Sequence, residues 1–395
     1  MALLEQMGGT DMISQIIFFA MFFAFAFLYP RLTLSQTLWK IEKNAIELEG
    51  MAAEGRAIVV RGMEKNPGSR LKESVRNFME FFAISPIDMD PYGVVKKLDM
   101  VVRQSDRRFK MFVDRMAPGL SAVEKDNVQN ALSGAMLNHQ IAKVVRHYVE
   151  IIKKYKILQL AMLIQMQMPL VMRAAKAASA ATRAFLDGMP IGDGIGPLVA
   201  VSLLPAKARM KVYKDEEFAV VPITIKGRKV FVAKANGPGA STGYPGKFLL
   251  KFTQKQRIDK IITVDAAMRL EGEKAGSVAE GVGIAIGGPG VDRYEIEEFA
   301  VNRKVPIDAV AIKVSDEEAL GPLRPEIMAG VAPAIEAIND AVDRTKKNER
   351  ILLIGVGNTC GVGNDAAAAK LAEQMVKKYA KKVAEQKKGK RNEQN

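Results

Sequence analysis

Four acids follow one short apolar run. Ile261, Ile262, Thr263 and Val264 lead into Asp265, and Glu271, Glu273 and Glu280 come after it, spaced by Gly272, Gly276 and Gly281. A carboxylate at the C-terminal end of a buried strand stands where ligands gather in open α/β sheets, so these acids either do chemistry, bind a ligand or form a solvated loop. Two further glycine-rich loops are expected at the same end of a sheet. GVGNTCGVGND (355–365) follows the apolar strand ILLI, and GMPIGDGIGPLVA (188–200) opens a helix. Glycine permits close backbone approach, and the free N–H groups of a helix N-terminus suit an anion. Gly355, Gly357, Asn358, Gly363 and Asp365, with Glu271 and Glu273, are therefore the candidate ligand-binding loop residues. A fourth loop, NGPGASTGYPGKF (236–248), is not a phosphate loop: Ser241 stands where glycine is required and Phe248 replaces the Ser or Thr after Lys247. No GxGxxG is properly placed after a strand, which leaves a nucleotide site unsupported.

The elements that must position these loops are legible by period. From Gly188 onward, strand patterns at Ala219–Ile225, Lys229–Ala233, Lys260–Val264, Val282–Ile286, Ala309–Lys313 and Ile351–Ile354 alternate with helical patterns after Asp193, Glu326 and Asp365. This predicts a C-terminal α/β domain over 188–376, with a mostly parallel sheet covered by helices on both faces. Residues 32–187 read as an α-helical middle region. Pro67-Gly68 breaks it, ISPIDMDPYG (84–93) marks a joint, and Ser121 with Glu124 signals a capping box. ILQLAMLIQMQMPLVM (157–172) is too short and too polar for a membrane span and reads as a buried helix. With the Ala-rich helix after it, it offers more apolar surface than one protomer covers, so a homo-oligomer is expected. His139 and His147 are eight residues apart, poor spacing for a shared metal on a helix.

Between Met12 and Pro30 no charge occurs, about the length that crosses a ~30 Å hydrocarbon layer. With no cleavage pattern behind it, residues 1–31 are expected to be an extracytoplasmic N-terminus and a single transmembrane helix in the lipid bilayer of the cell membrane. Glu5 and Asp11 lie before the span, and Arg31, Lys40 and Lys43 after it, which puts the bulk of the chain in the cytoplasm. The net charge of +14 comes from residues 32–187, with 24 Lys and Arg against 16 acids, and from a basic tail over 377–395, with 8 against 2. Basic segments beside a span fit anionic headgroups better than nucleic acid, for which no binding module accompanies the charge. The one cysteine, Cys360, excludes an internal disulfide.

Taken together, the anchor, VDAAMRLEGEKAGSVAEGVGIAIGGPG and GVGNTCGVGN resemble an archaeal membrane-protein family of unknown function over nearly all 395 residues. Residues 190–360 more distantly resemble the fold of hydrogenase-maturation peptidases and spore-protease-like proteins, through IGDGIGPLVA, ITVDAA and AGSV. The strand and turn that should precede GDGIGP are found instead in ILLIGVGN, which implies a circular permutation. The peptidases' acids correspond to Asp193 and Asp265, the implied catalytic pair. The metal-binding histidine of the hydrogenase-maturation peptidases has no counterpart, so a divalent cation would be held by oxygen ligands with help from Glu271, Glu273 or Glu280. Two carboxylates sharing a proton are the metal-free alternative. N-capping competes for Asp193, loop-amide binding for Asp265, and plain solvation for Glu271 and Glu273. The resulting expectation is a membrane-anchored, peptidase-like hydrolase. The alternative is a catalytically silent ligand-binding or scaffold module that forms a membrane-bound homo-oligomer. If the flanking charges set the orientation, protease added to sealed right-side-out vesicles will spare everything after Arg31; digestion of the α/β domain would overturn that topology.

Overall fold

The computed structural model describes residues 2–86, 93–288 and 290–392, with side chains over 14–385 within those ranges. Most of the expected joint, residues 87–92, lies outside the described residues, as do Pro289 of the IGGPG loop and residues 393–395 of the basic tail. Five helices come first: α1 (Ala2–Met63), α2 (Ser69–Phe78), α3 (Val94–Met116), α4 (Ala122–Tyr155) and α5 (Leu158–Leu186). Among the described residues, α1 is the one helix long and apolar enough to cross a membrane; its phenylalanine-rich stretch is fully unburied. Pro67-Gly68 separates α1 from α2, as expected. The Ser121 hydroxyl accepts the Glu124 N–H at 3.3 Å while Glu124 Oε2 accepts the Ser121 N–H at 2.8 Å, the reciprocal box that starts α4.

Two compact units divide the chain, Met1–Ala53 with Leu137–Ala175 and Glu54–Met136 with Lys176–Asn395. In the first, Leu34, Ile41, Ala45 and Leu48 of α1 pack with Val145, Val149 and Ile152 of α4 and Ala161 and Met168 of α5. The 157–172 stretch is therefore buried on one face only, because residues 100° apart on a helix cannot all face one neighbour. Met162, Leu163, Met166 and Leu170 stand exposed.

The second unit carries the sheet. Its elements are α6 (Ile195–Ser202), β1 (Lys211–Tyr213), β2 (Phe218–Ile225), β3 (Arg228–Ala235), α7 (Pro245–Thr253), β4 (Lys260–Met268), β5 (Val278–Val282), α8 (Val291–Arg303) and β6 (Ile307–Val314). There follow α9 (Asp316–Leu320), α10 (Pro325–Met328), α11 (Val331–Asp343), β7 (Arg350–Gly355) and α12 (Ala366–Asn392). The strand order is β1-β2-β3-β7-β4-β6-β5. The sheet is mixed rather than mostly parallel. Four central strands, β3-β7-β4-β6, are parallel, while β1, β2 and β5 run antiparallel to their neighbours. The reason at one edge is local: Lys226 and Gly227, both with positive φ, make the two-residue turn that joins Ile225 to its partner Arg228, and so short a loop permits only antiparallel pairing. At the other edge the expected strand 282–286 is displaced to 278–282, where it pairs with β6.

Helices cover both faces, as expected. On one side α6, α11 and α12 pack through Leu198, Val199, Ile338 and Ala372. On the other, α7 and α8 pack through Phe248, Phe252, Ile296 and Ala300. A third core joins α2, α3 and parts of α1, α4 and α5 to two loops of the α/β region, through Val75, Phe112, Leu132 and Phe185 with Ala240 and Cys360.

The turn after β7 fixes how close its neighbours come. Gly357 has φ +124° and a Cβ there would lie 1.9 Å from the Asp193 carbonyl oxygen, whereas a Cβ at Gly363 meets nothing closer than Ala368 Cβ at 3.4 Å. Gly357→Ala should therefore cost about 3 kcal/mol or more in chemical unfolding, while Gly363→Ala stays within roughly 0.5 kcal/mol, the range of ordinary surface changes.

Candidate functional site

The C-terminal ends of β3, β7 and β4 bring together the segment before α6 and the loops after β3, β4 and β7. Glycine makes this crowding possible. A Cβ on Gly196 would stand 2.1 Å from the Val356 carbonyl oxygen and 2.4 Å from that of Val264, and one on Gly237 would stand 1.9 Å from the carbonyl oxygen of Val362. The Val356 N–H donates to the Val264 carbonyl at 2.8 Å, extending the β7–β4 contact one residue beyond the sheet.

Asp265 is not at the end of its strand. β4 pairs with β6 as far as Met268, but its pairing with β7 stops at Val264, opposite Gly355. Asp265 is thus the first residue of β4 to outrun the central strand, and it is only 4% exposed. Its Oδ1 accepts the Ala266 N–H at 2.7 Å, and the Gly287 amide also donates to the carboxylate. Asp193 is half-buried in the 3-10 turn Gly192–Gly194. It does not cap α6; its Oδ2 accepts the backbone N–H of Asn358 at 2.8 Å, which ties the segment before α6 to the β7 turn. The two carboxylates lie within electrostatic reach. Burial first, and the Asp193 charge second, hold the Asp265 carboxyl well above the usual carboxylate range. Burial also raises Asp193, against the Asn358 amide that favours its charged form. Burial raises both carboxyls, and the like charge adds to the rise at Asp265, so the two together hold a proton more readily than separate carboxylates would.

The remaining expected residues divide. Gly355, Gly357 and Asn358 belong to this junction: the Asn358 side-chain Oδ1 accepts the Cys360 N–H at 2.9 Å, and its Nδ2 donates to Asn130 Oδ1 at 3.4 Å. Gly363 has room around it, and Asp365 serves α12, its Oδ1 accepting the Ala368 N–H at 3.0 Å. Glu273 caps its own turn by accepting the Leu270 N–H at 2.7 Å and pairs with Lys313 at 3.7 Å; Glu271 is exposed. Neither joins Asp265, and Glu280 pairs with Arg344 at 2.8 Å. Among the described residues, no three Asp, Glu, His or Cys side chains converge as a metal-binding group. Burial pushes the Cys360 thiol up to about 12, which makes it packing rather than a nucleophile.

Two features escaped the sequence reading. Lys234, at the end of β3, is fully buried and pairs in register with Gly355. Its ammonium donates to the carbonyls of Ala235 at 2.9 Å and Val362 at 3.3 Å and to Asn364 Oδ1 at 2.8 Å. Burial pushes it down to about 7, partly offset by the Asp365 charge. A lysine inside the alternating run KVFVAKA was the available signal. The second is a cavity of about 520 Å³ between α3, the start of α4, the β1–β2 turn and the loop before α7. Asp106, Asp126 and Glu217 lie on its acidic side, and burial with the Glu217 charge lifts Asp126 to about 6. Arg103 and Tyr244 also line it, the guanidinium stacked on the ring at 4.3 Å. Neither Asp193 nor Asp265 lines this cavity, but Asn130 does, and it connects through Asn358 to Asp193.

The fold and site define a class: an apolar N-terminal helix, a helical middle and a mixed-sheet α/β region with a buried acid pair beside its central strand. Residues 15–188 match the model of the DUF1512 protein of unknown function, N-terminal domain, and residues 191–363 match the DUF1512 C-terminal domain. The chain belongs to that DUF1512 family. No curated protein and no solved structure matches it.

The raised Asp265 has a consequence for pH. A carboxyl with a native pKa above its usual value near 3.8 stabilises the fold fully below that value and loses the contribution as pH rises through the native pKa. Asp265→Asn should therefore melt higher than the wild type at neutral pH, with the gap closing as the pH is lowered to 3.8 and below. A gap independent of pH would show that Asp265 has the same proton affinity in the folded and unfolded chain, and so is not raised.

Proposed function

We propose that this protein is a membrane-tethered hydrolase of the peptidase-like kind, working through Asp193 and Asp265. The observation that carries the reading is the convergence of two desolvated carboxylates, one from the turn before α6 and one from β4, beside the end of the central strand. In a proton-sharing pair, ionised Asp193 takes a proton from water as the water adds to a carbonyl, and protonated Asp265 donates to the carbonyl oxygen. The contact of Gly192–Gly196 with the Val356–Asn358 turn supports a permuted peptidase-like arrangement, since it joins in space the two motif halves that are separated in sequence. The apolar run of α1 supports a single-pass anchor with its N-terminus outside and the site on the cytoplasmic side.

The test is a screen of the full-length protein against mixed peptides, with Asp193→Asn and Asp265→Asn in parallel. Each variant should lower turnover on the order of 10²-fold or more while unfolding cooperatively. Activity should fall on the alkaline side as Asp265 loses its proton and on the acid side as Asp193 gains one. Turnover that requires an added divalent cation would replace the shared proton by a metal held on the same oxygens. Unchanged turnover in both variants would overturn the site.

A second reading rests on the cavity. Its mixed-charge lining beside, rather than around, the acid pair supports a catalytically silent ligand-binding module, with the exposed Met162, Leu163, Met166 and Leu170 face of α5 serving a membrane-bound homo-oligomer.

A further inference from the structure

The turn between α4 and α5 projects a basic and aromatic tip at a level set by α1. Arg146 pairs with Glu49 at 2.7 Å, and Lys153 donates to Glu42 at 2.5 Å. Seven residues along α4 thus match seven residues along α1 in the opposite direction, which brings the C-terminal end of α4 to about the level of Trp39 and Lys40. Both segments belong to one compact unit. At this level Trp39 is 65% exposed and Tyr155 60% exposed, each with a lysine over its ring, Lys43 at 5.9 Å and Lys154 at 5.1 Å. Ile157 is also exposed. Lys156 ends α4 with φ +54°, a left-handed conformation usually left to glycine at a helix C-terminus. A long cation is held there at a backbone cost that glycine would avoid.

Arg31 marks the end of the exposed apolar run of α1, and no charged residue lies between it and Lys40. At 1.5 Å per residue the tip stands about 12 Å beyond Arg31 along the helix. Headgroups fill roughly the first 5–8 Å of that distance, and the remainder is within the ~8 Å Debye length and the reach of a lysine side chain. Aromatic rings with lysines are the side chains that favour this interface.

We propose that the α4–α5 turn is a second membrane contact, a tip that seats on the anionic headgroups of the leaflet from which α1 emerges. The proposal rests on α1 as a membrane span. Charge complementarity and continuity with that span select a lipid surface as the occupant. Two points of attachment, α1 and the tip, would fix the orientation of this helical unit against the bilayer.

The test uses full-length protein in vesicles of phosphatidylcholine alone or mixed with phosphatidylglycerol. Tyr155→Cys carries an environment-sensitive fluorophore; Cys360 is fully buried and stays unlabelled. The label should shift to the blue and be quenched by bromine-labelled lipid in the anionic vesicles. Both effects should be weaker in phosphatidylcholine alone, and lost on adding Lys154→Glu and Lys156→Glu. A Phe25→Cys label in the span is the control. If that label is quenched and the tip label is not, the tip proposal fails and the anchor stands; if neither is quenched, both fail. A blue shift of the tip label that is equal in both lipids and disappears on dilution would mean a second copy of the chain covers the tip, which also overturns the proposal.

Discussion

The segment Gly192–Gly196 crosses the ends of β4 and β7 at backbone-to-backbone distance, and the arrangement around the acid pair depends on that crossing. The Gly196 position faces the carbonyls of Val356 and Val264 at distances no side chain tolerates, and Gly357 faces the carbonyl of Asp193 in the same way. Close approach brings Asp193 Oδ2 onto the Asn358 amide. It also removes water from both carboxylates, and the loss of water, more than their mutual repulsion, is what raises them. Steric economy at glycine is thus converted into proton affinity at aspartate.

Much of this end of the molecule was legible in the sequence. Ile351–Ile354 read as a strand because four apolar residues ended in glycine, and they form the fully buried centre of β7. Asp193 and Asp265 were singled out by their loops, and the structure places them within each other's field. What could not be read was register. Asp265 ends an apolar run, yet the strand continues through Ala266, Ala267 and Met268 because β6 offers partners that β7 does not. The hairpin at Lys226-Gly227 was hidden by a lysine in a left-handed conformation, where Asn or Asp would have announced the turn. The cavity was invisible for a different reason. Its walls come from α3, α4, the β1–β2 turn and the loop before α7, and no local pattern reports that these distant segments meet.

The two buried ionisable groups beside β7 have opposite chemistry. Lys234 and Val264 sit across Gly355 on the flanking strands, so Lys234 and Asp265 are offset by one residue and alternation sends their side chains to opposite faces of the sheet. Lys234 is surrounded by three oxygen acceptors and binds the loops after β3 and β7 together. Asp265 has two amides and a neighbouring negative charge. One group is held by its partners; the other is held in spite of one. That contrast separates the two buried ions more clearly than burial does.

The position of β7 also bears on how the chain comes to be made. Alternate residues of this strand serve both cores, Ile351 and Leu353 on one face and Leu352 and Ile354 on the other, and it is the last strand in sequence. During synthesis β1-β2-β3 and β4-β6-β5 therefore emerge as two separate pieces, each with an unpaired parallel edge, and neither can close until the ribosome has released residues 350–355. Such edges invite pairing with other chains while they wait. The strand that unites the sheet is thus made after every strand it joins, so the two halves wait for it in the order of synthesis.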